Sequence, residues 1–236
     1  VIPEDMDAAI KASAEGGVQL MIGTNQDEWN YFREDSEGET DEEKFDSWVA
    51  GMDAMIDEVK ESSDDNAKDA IDEFMDYAAG NVPEEYADDK AEKEALAKSA
   101  FITETWRYEH FCFIDKFVDA GGDAYMYLWK VPSTMDSMYK SSVHAIELAY
   151  VFNNLDDGIY AGEVDEETAA KAQEAWINFA KPGNPSIEGA EWSSYDTSDR
   201  NTMVIKKDGW KLESDPSKTA RELMERIYGD TPYQVW

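Results

Sequence analysis

The feature that most restricts the fold of this chain is a pair of strand-like segments far apart in the sequence. Residues 18–23 (VQLMIG) are apolar apart from Gln19, as expected of a strand buried on both faces. Residues 124–131 (AYMYLWKV) are rich in aromatic side chains, which favours a second strand. The first strand is followed by a turn over 24–26 and the second by a proline, so each leads directly into a loop.

A long helical block separates these two strands. Apolar residues recur at helical spacing over 43–79, with an interruption at 63–65 that predicts two helices. A further helical stretch runs over 89–120 and ends at two glycines. The later segments predict a helix over 164–181, a hairpin over 202–212 and a last helix capped by Asp215. The order predicts an α/β fold with a helical insertion at about 40–100.

The charge balance is extreme and restricts the partners. The chain has 54 acidic against 21 basic residues, a formal net charge of −33. Nucleic acid and anionic membranes are therefore excluded as expected partners, because both are bound through clustered Lys and Arg. A solvated acidic surface explains the charge, and adaptation to high salt is the sharper alternative. No apolar run approaches the roughly 18 residues that a membrane span needs.

Cysteine and histidine are scarce. The single cysteine, Cys112, excludes an internal disulfide and favours a cytoplasmic over a secreted location. Two histidines, His110 and His144, and one cysteine make a poor set of metal ligands. We therefore expect neither a metal ion nor a cofactor.

Two residues follow the predicted strands at positions where catalytic groups emerge in α/β proteins. Glu28 follows the first strand and His144 follows the second. Position alone says little about Glu28, because acidic residues are abundant throughout the chain. His144 is more informative, because it is one of only two histidines.

Two segments around these residues carry a resemblance to a known family. Residues 22–32 (IGTNQDEWNYF) and 144–155 (HAIELAYVFNNL) are similar to segments of type-B carboxylesterases and cholinesterases. In that family the first segment supplies the acid and the second the histidine of a Ser-His-Glu triad. The resemblance therefore implies that Glu28 and His144 are catalytic and that the substrate is a small ester. It extends over nearly the whole chain and implies the C-terminal part of an α/β-hydrolase catalytic domain over residues 1–236.

One expected part of the triad is absent. The nucleophile elbow of this fold reads G-x-S-x-G, and the chain has no such motif. Because the fold orders its triad as serine, acid and histidine, the serine is expected upstream of Val1. The expected partner is thus a missing N-terminal half, and this chain alone is expected to be inactive. Two alternatives remain: a catalytically inactive cholinesterase-like binding or adhesion module, and an inactive fragment that dimerises through exposed surface.

Three further residues need a role: Asp27, Glu147 and His110. Asp27 is the rival for the triad acid; otherwise it caps the segment that begins at Glu28. Glu147 is expected to make a buried structural hydrogen bond or ion pair. His110 is expected to be a surface or packing residue of a helix.

Overall fold

The computed structural model describes residues 5–154 and 161–229. Its α-helices are α1 Met6–Glu15, α2 Asp41–Ser62, α3 Asp65–Ala79, α4 Lys90–Asp119, α5 Glu147–Val151, α6 Glu166–Ala180 and α7 Lys218–Tyr228. Its strands are β1 Gln19–Asn25, β2 Asp123–Trp129, β3 Asn201–Lys206 and β4 Gly209–Ser214. Short 3₁₀ helices cover Glu28–Arg33, Glu84–Tyr86 and Asp136–Met138.

The chain divides into two compact units. In the described ranges, unit 1 comprises residues 5–26, 110–154 and 161–216, and unit 2 comprises residues 27–109 and 217–229. Unit 1 holds all four strands, together with α1, α5, α6 and the end of α4. Unit 2 holds α2, α3, α7 and the longer, first part of α4.

The sheet of unit 1 is mixed, with the strand order β1-β2-β3-β4. β1 and β2 are parallel, β2 and β3 are parallel, and β3 and β4 form an antiparallel hairpin. The predicted strands and the predicted terminal hairpin are therefore confirmed. Because β1 and β2 are parallel, their carboxyl ends meet at one edge of the sheet, where Asn25 is opposite Trp129.

β1 differs from its prediction in two respects. It continues to Asn25, beyond the predicted end at Gly23, because its pairing with β2 extends to Trp129. Most of its residues are half-buried, and only Thr24 and Asn25 are buried, so the expectation of burial on both faces was wrong. The reason is that β1 lies at the sheet edge and pairs only with β2 in the described part of the chain.

Close packing between β1 and β2 explains a glycine in the middle of a strand. A Cβ atom added at Gly23 would lie 2.4 Å from the ring and the carbonyl oxygen of Tyr127. Only glycine leaves room for that approach. The close approach explains why a glycine is present in a strand, where it otherwise costs backbone entropy and packing. The aromatic ring on β2 therefore selects the residue type on β1.

One hydrophobic core cluster of unit 1 lies between the sheet, α1 and the end of α4. Its buried side chains include Ile10, Phe111, Ile114, Phe117 and Met126, all at most 4% exposed. The three of these that lie in α4, Phe111, Ile114 and Phe117, recur at three-residue spacing and thus lie on one helical face. Their burial from water is the main stabilising term for this unit.

The helices of unit 2 begin where the sequence provides caps. A capping box between Thr40 and Glu43 starts α2, and Asp64 caps α3, as the interruption at 63–65 predicted. The last helix begins at Lys218, so the prediction of a cap at Asp215 was wrong. Asp215 has a φ of +44°, which is incompatible with a helix start there.

Candidate active site

The carboxyl ends of β1 and β2 are joined through one backbone carbonyl. The N–H of Gln26, just past β1, donates to the carbonyl oxygen of Trp129 at 2.8 Å. The Ser142 hydroxyl donates to the same oxygen at 2.9 Å and is buried. Ser142, two residues before His144, therefore ties the loop after β2 to the same carbonyl that joins the ends of β1 and β2.

Asn25 makes a second connection at the same edge. Its side-chain amide, Nδ2, donates to the carbonyl oxygen of Val143 at 2.9 Å and to the Glu147 carboxylate at 2.6 Å. The hydrogen bond expected of Glu147 is therefore present, although the residue is half-buried rather than buried. Asn25 itself is only 2% exposed.

His144 lies in a tight turn between Val143 and Glu147, the two residues that accept hydrogen bonds from Asn25. The N–H of Ile146 donates to the Val143 carbonyl at 3.3 Å and closes the turn. Val143 and Ile146 are both fully buried, whereas His144 is exposed. Ala145 has a φ of +62°, a left-handed conformation that residues with a Cβ atom rarely adopt. The exposed side chain of His144 is therefore carried by a turn whose neighbouring residues, Val143 and Ile146, are buried.

Glu28 is the first residue of the 3₁₀ helix that follows β1, and it is 6% exposed. Within unit 2, the N–H of Trp29 donates to the Thr103 hydroxyl at 3.1 Å. The Ser99 hydroxyl donates to Asn30 Oδ1 at 2.6 Å. These bonds fasten both residues after Glu28 to α4, so the backbone that carries the carboxylate is held in place.

Glu28 belongs to unit 2 and His144 to unit 1. Each is placed after the strand that the sequence predicted for it, Glu28 after β1 and His144 after β2. The pairing of the two side chains stays a prediction.

The structure also locates Asp27, the rival for the triad acid, and His110. Asp27 precedes the 3₁₀ helix, and its carbonyl, not its carboxylate, accepts the N–H of Asn30 at 3.1 Å. Its expected side-chain cap is therefore not formed. His110 is a half-buried residue in the middle of α4, which agrees with the expected packing or surface role.

A partly buried charged cluster in unit 1 was not foreseen from the sequence. Arg200 Nη1 contacts both carboxylate oxygens of Asp115, at 2.8 and 2.7 Å, and the Tyr195 hydroxyl donates to Asp115 at 2.7 Å. Burial, and then the Asp115 carboxylate, raise the pKa of Tyr195 well above its usual range. Tyr195 therefore stays protonated and holds the segment before β3 against α4.

Unit 2 has a solvent-open pocket of about 740 Å³. Met55, Val59, Phe101 and Ile102 give it apolar walls, and Arg226 also lines it. Its lining includes none of the predicted catalytic residues.

Within residues 5–154 and 161–229, no group of three or more His, Cys, Asp and Glu side chains is arranged to hold a metal ion. None of the described helices is long and apolar enough to cross a bilayer.

Comparison with known proteins decides the family. The model of the carboxylesterase family matches residues 1–224. The chain belongs to the carboxylesterase family. The resemblance in the two segments around Glu28 and His144 is therefore confirmed at the level of the family, although Leu155, the last residue of the second segment, lies outside the described residues.

Two curated relatives illustrate the similarity of this carboxylesterase chain. It is 26% identical over 231 residues to the para-nitrobenzyl esterase of Bacillus subtilis (strain 168), which covers 94% of the chain and 40% of that protein. It is 32% identical over 122 residues to a medium-chain fatty acyl-CoA hydrolase precursor of Anas platyrhynchos, which covers 48% of the chain and 21% of that protein. The chain thus spans at most about two fifths of the relatives it matches.

Solved structures confirm the predicted fold. A para-nitrobenzyl esterase structure aligns with a TM-score of 0.60 and 25% identity over 94% of this chain and 41% of its own. A Geobacillus stearothermophilus carboxylesterase aligns with a TM-score of 0.66 and 22% identity over 92% of this chain and 42% of its own. The chain therefore has an α/β-hydrolase fold, as the sequence predicted.

Proposed function

We propose that this chain is the C-terminal part of a serine carboxylesterase, with Glu28 as the acid and His144 as the base of a Ser-His-Glu triad. The nucleophilic serine lies outside this chain. Family membership supports ester hydrolysis, and the span of about two fifths of the relatives' length fits a part of a longer enzyme.

The observation that carries the assignment is the hydrogen bond from Asn25 to the Val143 carbonyl, 2.9 Å long. Glu28 follows Asn25 closely in sequence, so chain connectivity keeps their Cα atoms within about 11 Å. His144 is the neighbour of Val143, with a Cα–Cα separation of about 3.8 Å. The backbone segments that carry the acid and the base are therefore tethered to the same sheet edge.

The exposure of the two groups suits their roles. The acid of a triad works from a buried position, where its carboxylate orients the imidazole and stabilises the imidazolium. Glu28 is 6% exposed. The base must reach the nucleophile and the substrate, and His144 is exposed.

The reaction proceeds by two acyl transfers. The serine oxygen attacks the ester carbonyl carbon while His144 accepts the hydroxyl proton. As the C–O bond to the alcohol breaks, His144 returns that proton to the leaving alkoxide, and an acyl-enzyme remains. Water then attacks the acyl carbonyl and gives a proton to His144, which passes it to the serine oxygen as the carboxylic acid leaves.

The test is hydrolysis of a chromogenic short ester by the gene product that includes the residues upstream of Val1. We expect His144→Ala and Glu28→Gln to lower kcat by roughly 10³-fold or more, as triad substitutions do. The chain offers a matched control for each: His110→Ala removes its only other histidine, and Asp27→Asn alters the adjacent rival acid. Both controls should stay within a few-fold of the unaltered enzyme.

Two results would overturn the proposal. The first is unchanged hydrolysis after His144→Ala. The second is an upstream sequence without a G-x-S-x-G serine, which would favour a binding module instead.

A companion assay uses the 236-residue chain alone. Its rate should equal that of buffer, because the serine is supplied from elsewhere. Turnover by this chain that disappears with His144→Ala would place a nucleophile within it.

A further inference from the structure

Asn25 is positioned to control the turn that carries His144. It is the last residue of β1 and is 2% exposed. An amide NH₂ group carries two protons, and Nδ2 has two acceptors, the Val143 carbonyl at 2.9 Å and the Glu147 carboxylate at 2.6 Å. One acceptor immediately precedes His144, and the other lies on the first turn of α5 beyond it.

The turn held between these acceptors is conformationally unfavourable. Ala145 has a φ of +62°, a region that L-residues other than glycine visit at a cost. The backbone bond that closes the turn, from the Ile146 N–H to the Val143 carbonyl, is long at 3.3 Å. Because local geometry alone holds this turn weakly, the contacts from Asn25 supply the additional restraint.

We infer that Asn25 is a positioning residue for His144. By binding both ends of the turn, its amide fixes the direction in which the imidazole leaves the sheet edge. The catalytic consequence rests on the function proposed above, because a general base must lie within hydrogen-bond reach of the proton it moves. Asn25 itself touches no reacting atom in this role.

The residue type at position 25 follows from the two acceptors. A carbonyl and a carboxylate both require protons, so a neutral double donor fits between them. Aspartate has nearly the same shape but would place a second carboxylate against Glu147. Leucine has a comparable size but no donor. Asn25→Asp and Asn25→Leu are therefore expected to release the turn by different routes.

The main test is NMR spectroscopy of the 236-residue chain, which contains two histidines. His144 gives one of two imidazole Cε1–H signals, and His110→Gln assigns it. We expect a single sharp His144 signal in the unaltered chain and a broadened or divided one in both Asn25 variants, with the His110 signal unchanged. Hydrogen exchange at the Ile146 amide should become roughly tenfold faster, as the loss of a hydrogen bond predicts.

Tyr195→Phe is the matched control, because it also removes side-chain hydrogen bonds within unit 1. It should lower the melting temperature while leaving the His144 signal and the Ile146 exchange rate unchanged. If Asn25→Leu does not fold, Asn25→Asp decides the matter with the same two measurements. An unaltered His144 signal with unaltered Ile146 exchange in a folded Asn25 variant overturns the inference.

A kinetic measurement on the ester-hydrolysing gene product separates this inference from the proposed function. We expect Asn25→Asp to lower kcat at least tenfold and to leave KM within about twofold, since it misplaces the base without altering ester binding. Equal loss in Tyr195→Phe would reduce Asn25 to a general stabilising residue and overturn the inference. If His144→Ala leaves hydrolysis intact, the proposed function fails, and the NMR result still decides whether Asn25 orders the turn.

Discussion

The side-chain amide of Asn25 donates a 2.6 Å hydrogen bond to the carboxylate of Glu147, across from the end of β1 to the start of α5. These residues are far apart in sequence, so the bond exists only because β1 and β2 pair in parallel. It is a short bond to a carboxylate acceptor in a partly buried setting, which places it among the stronger hydrogen bonds of proteins.

The first prediction concerns the chemistry of that acceptor. Glu147→Gln keeps an oxygen acceptor for Asn25 and should lower the free energy of unfolding by about 1 kcal/mol or less. Glu147→Leu removes the acceptor and should cost about 1–3 kcal/mol, because the Asn25 donor loses a partner in a buried position. Urea unfolding monitored by tryptophan fluorescence measures both.

A double-mutant cycle isolates this pair. In an Asn25→Leu background, Glu147→Leu should cost much less than in the unaltered chain, leaving a coupling energy of about 1 kcal/mol or more. Additive costs would show that the two side chains stabilise the fold independently.

The second prediction concerns the backbone beside His144. Ala145 has a φ of +62°, so Ala145→Gly removes the steric cost of the left-handed conformation. We expect the free energy of unfolding to rise by about 0.5–1 kcal/mol, the reverse of the usual cost of alanine at such positions. Ala149→Gly, in the regular helix α5, is the control and should instead destabilise the chain. A loss of stability in Ala145→Gly would mean that the turn is not strained.

The third prediction is a pH dependence in unit 1. Burial and the Asp115 carboxylate raise the pKa of Tyr195 far above its usual range. An unfolded tyrosine loses its proton near about pH 10, whereas the native residue keeps it. The unfolded state then binds fewer protons, so the stability that Tyr195 contributes is fully present below about pH 10 and is lost as the pH rises above it.

Tyr195→Phe measures that contribution directly. At neutral pH it should cost about 1–3 kcal/mol, because the hydroxyl donates to Asp115 and accepts from Arg200 at 2.7 Å. The difference between the two proteins should shrink above about pH 10, by as much as about 1.4 kcal/mol per pH unit. If this difference in the free energy of unfolding stays constant from about pH 8 to about pH 12, the range in which tyrosine titrates, the link to the Tyr195 proton is contradicted.

The fourth prediction concerns the surface charge. With a formal net charge of −33, repulsion among carboxylates opposes folding. Raising NaCl from about 0.1 M to about 1 M shortens the screening length from about 10 Å to about 3 Å, so the melting temperature should rise. A triple variant with glutamine at three exposed positions before and at the start of α2, Glu37, Glu39 and Glu42, should show a smaller rise. A melting temperature that does not respond to salt would argue against charge repulsion as a destabilising term.

The sequence predicted the elements of the fold well, because local patterns govern them. Helical spacing and caps located α2, α3 and α4, including the boundary at 63–65. The predictions were wrong where contacts with a neighbouring strand determine the length or burial of an element. The length of β1 depends on its pairing with Trp129, and the degree of its burial depends on its place at the sheet edge.

In the candidate site, too, some residues were identified from the sequence and others only from the structure. Glu28 and His144 were identified from segments that resemble a family, and the structure places them after β1 and β2. No pattern in the sequence singles out Asn25, whose partners Val143 and Glu147 come from another part of the chain. The Asp115–Arg200 contact likewise joins residues that no local rule connects.

The sequence by itself determined the family, the α/β class and the acidic surface, because these are written in composition, periodicity and motif. Tertiary structure alone decided which loop Asn25 holds and which carboxylate Tyr195 meets. The physical reason is that hydrogen bonds between distant residues form only when parallel pairing and core burial bring their backbones together, and neither leaves a local signature in the chain.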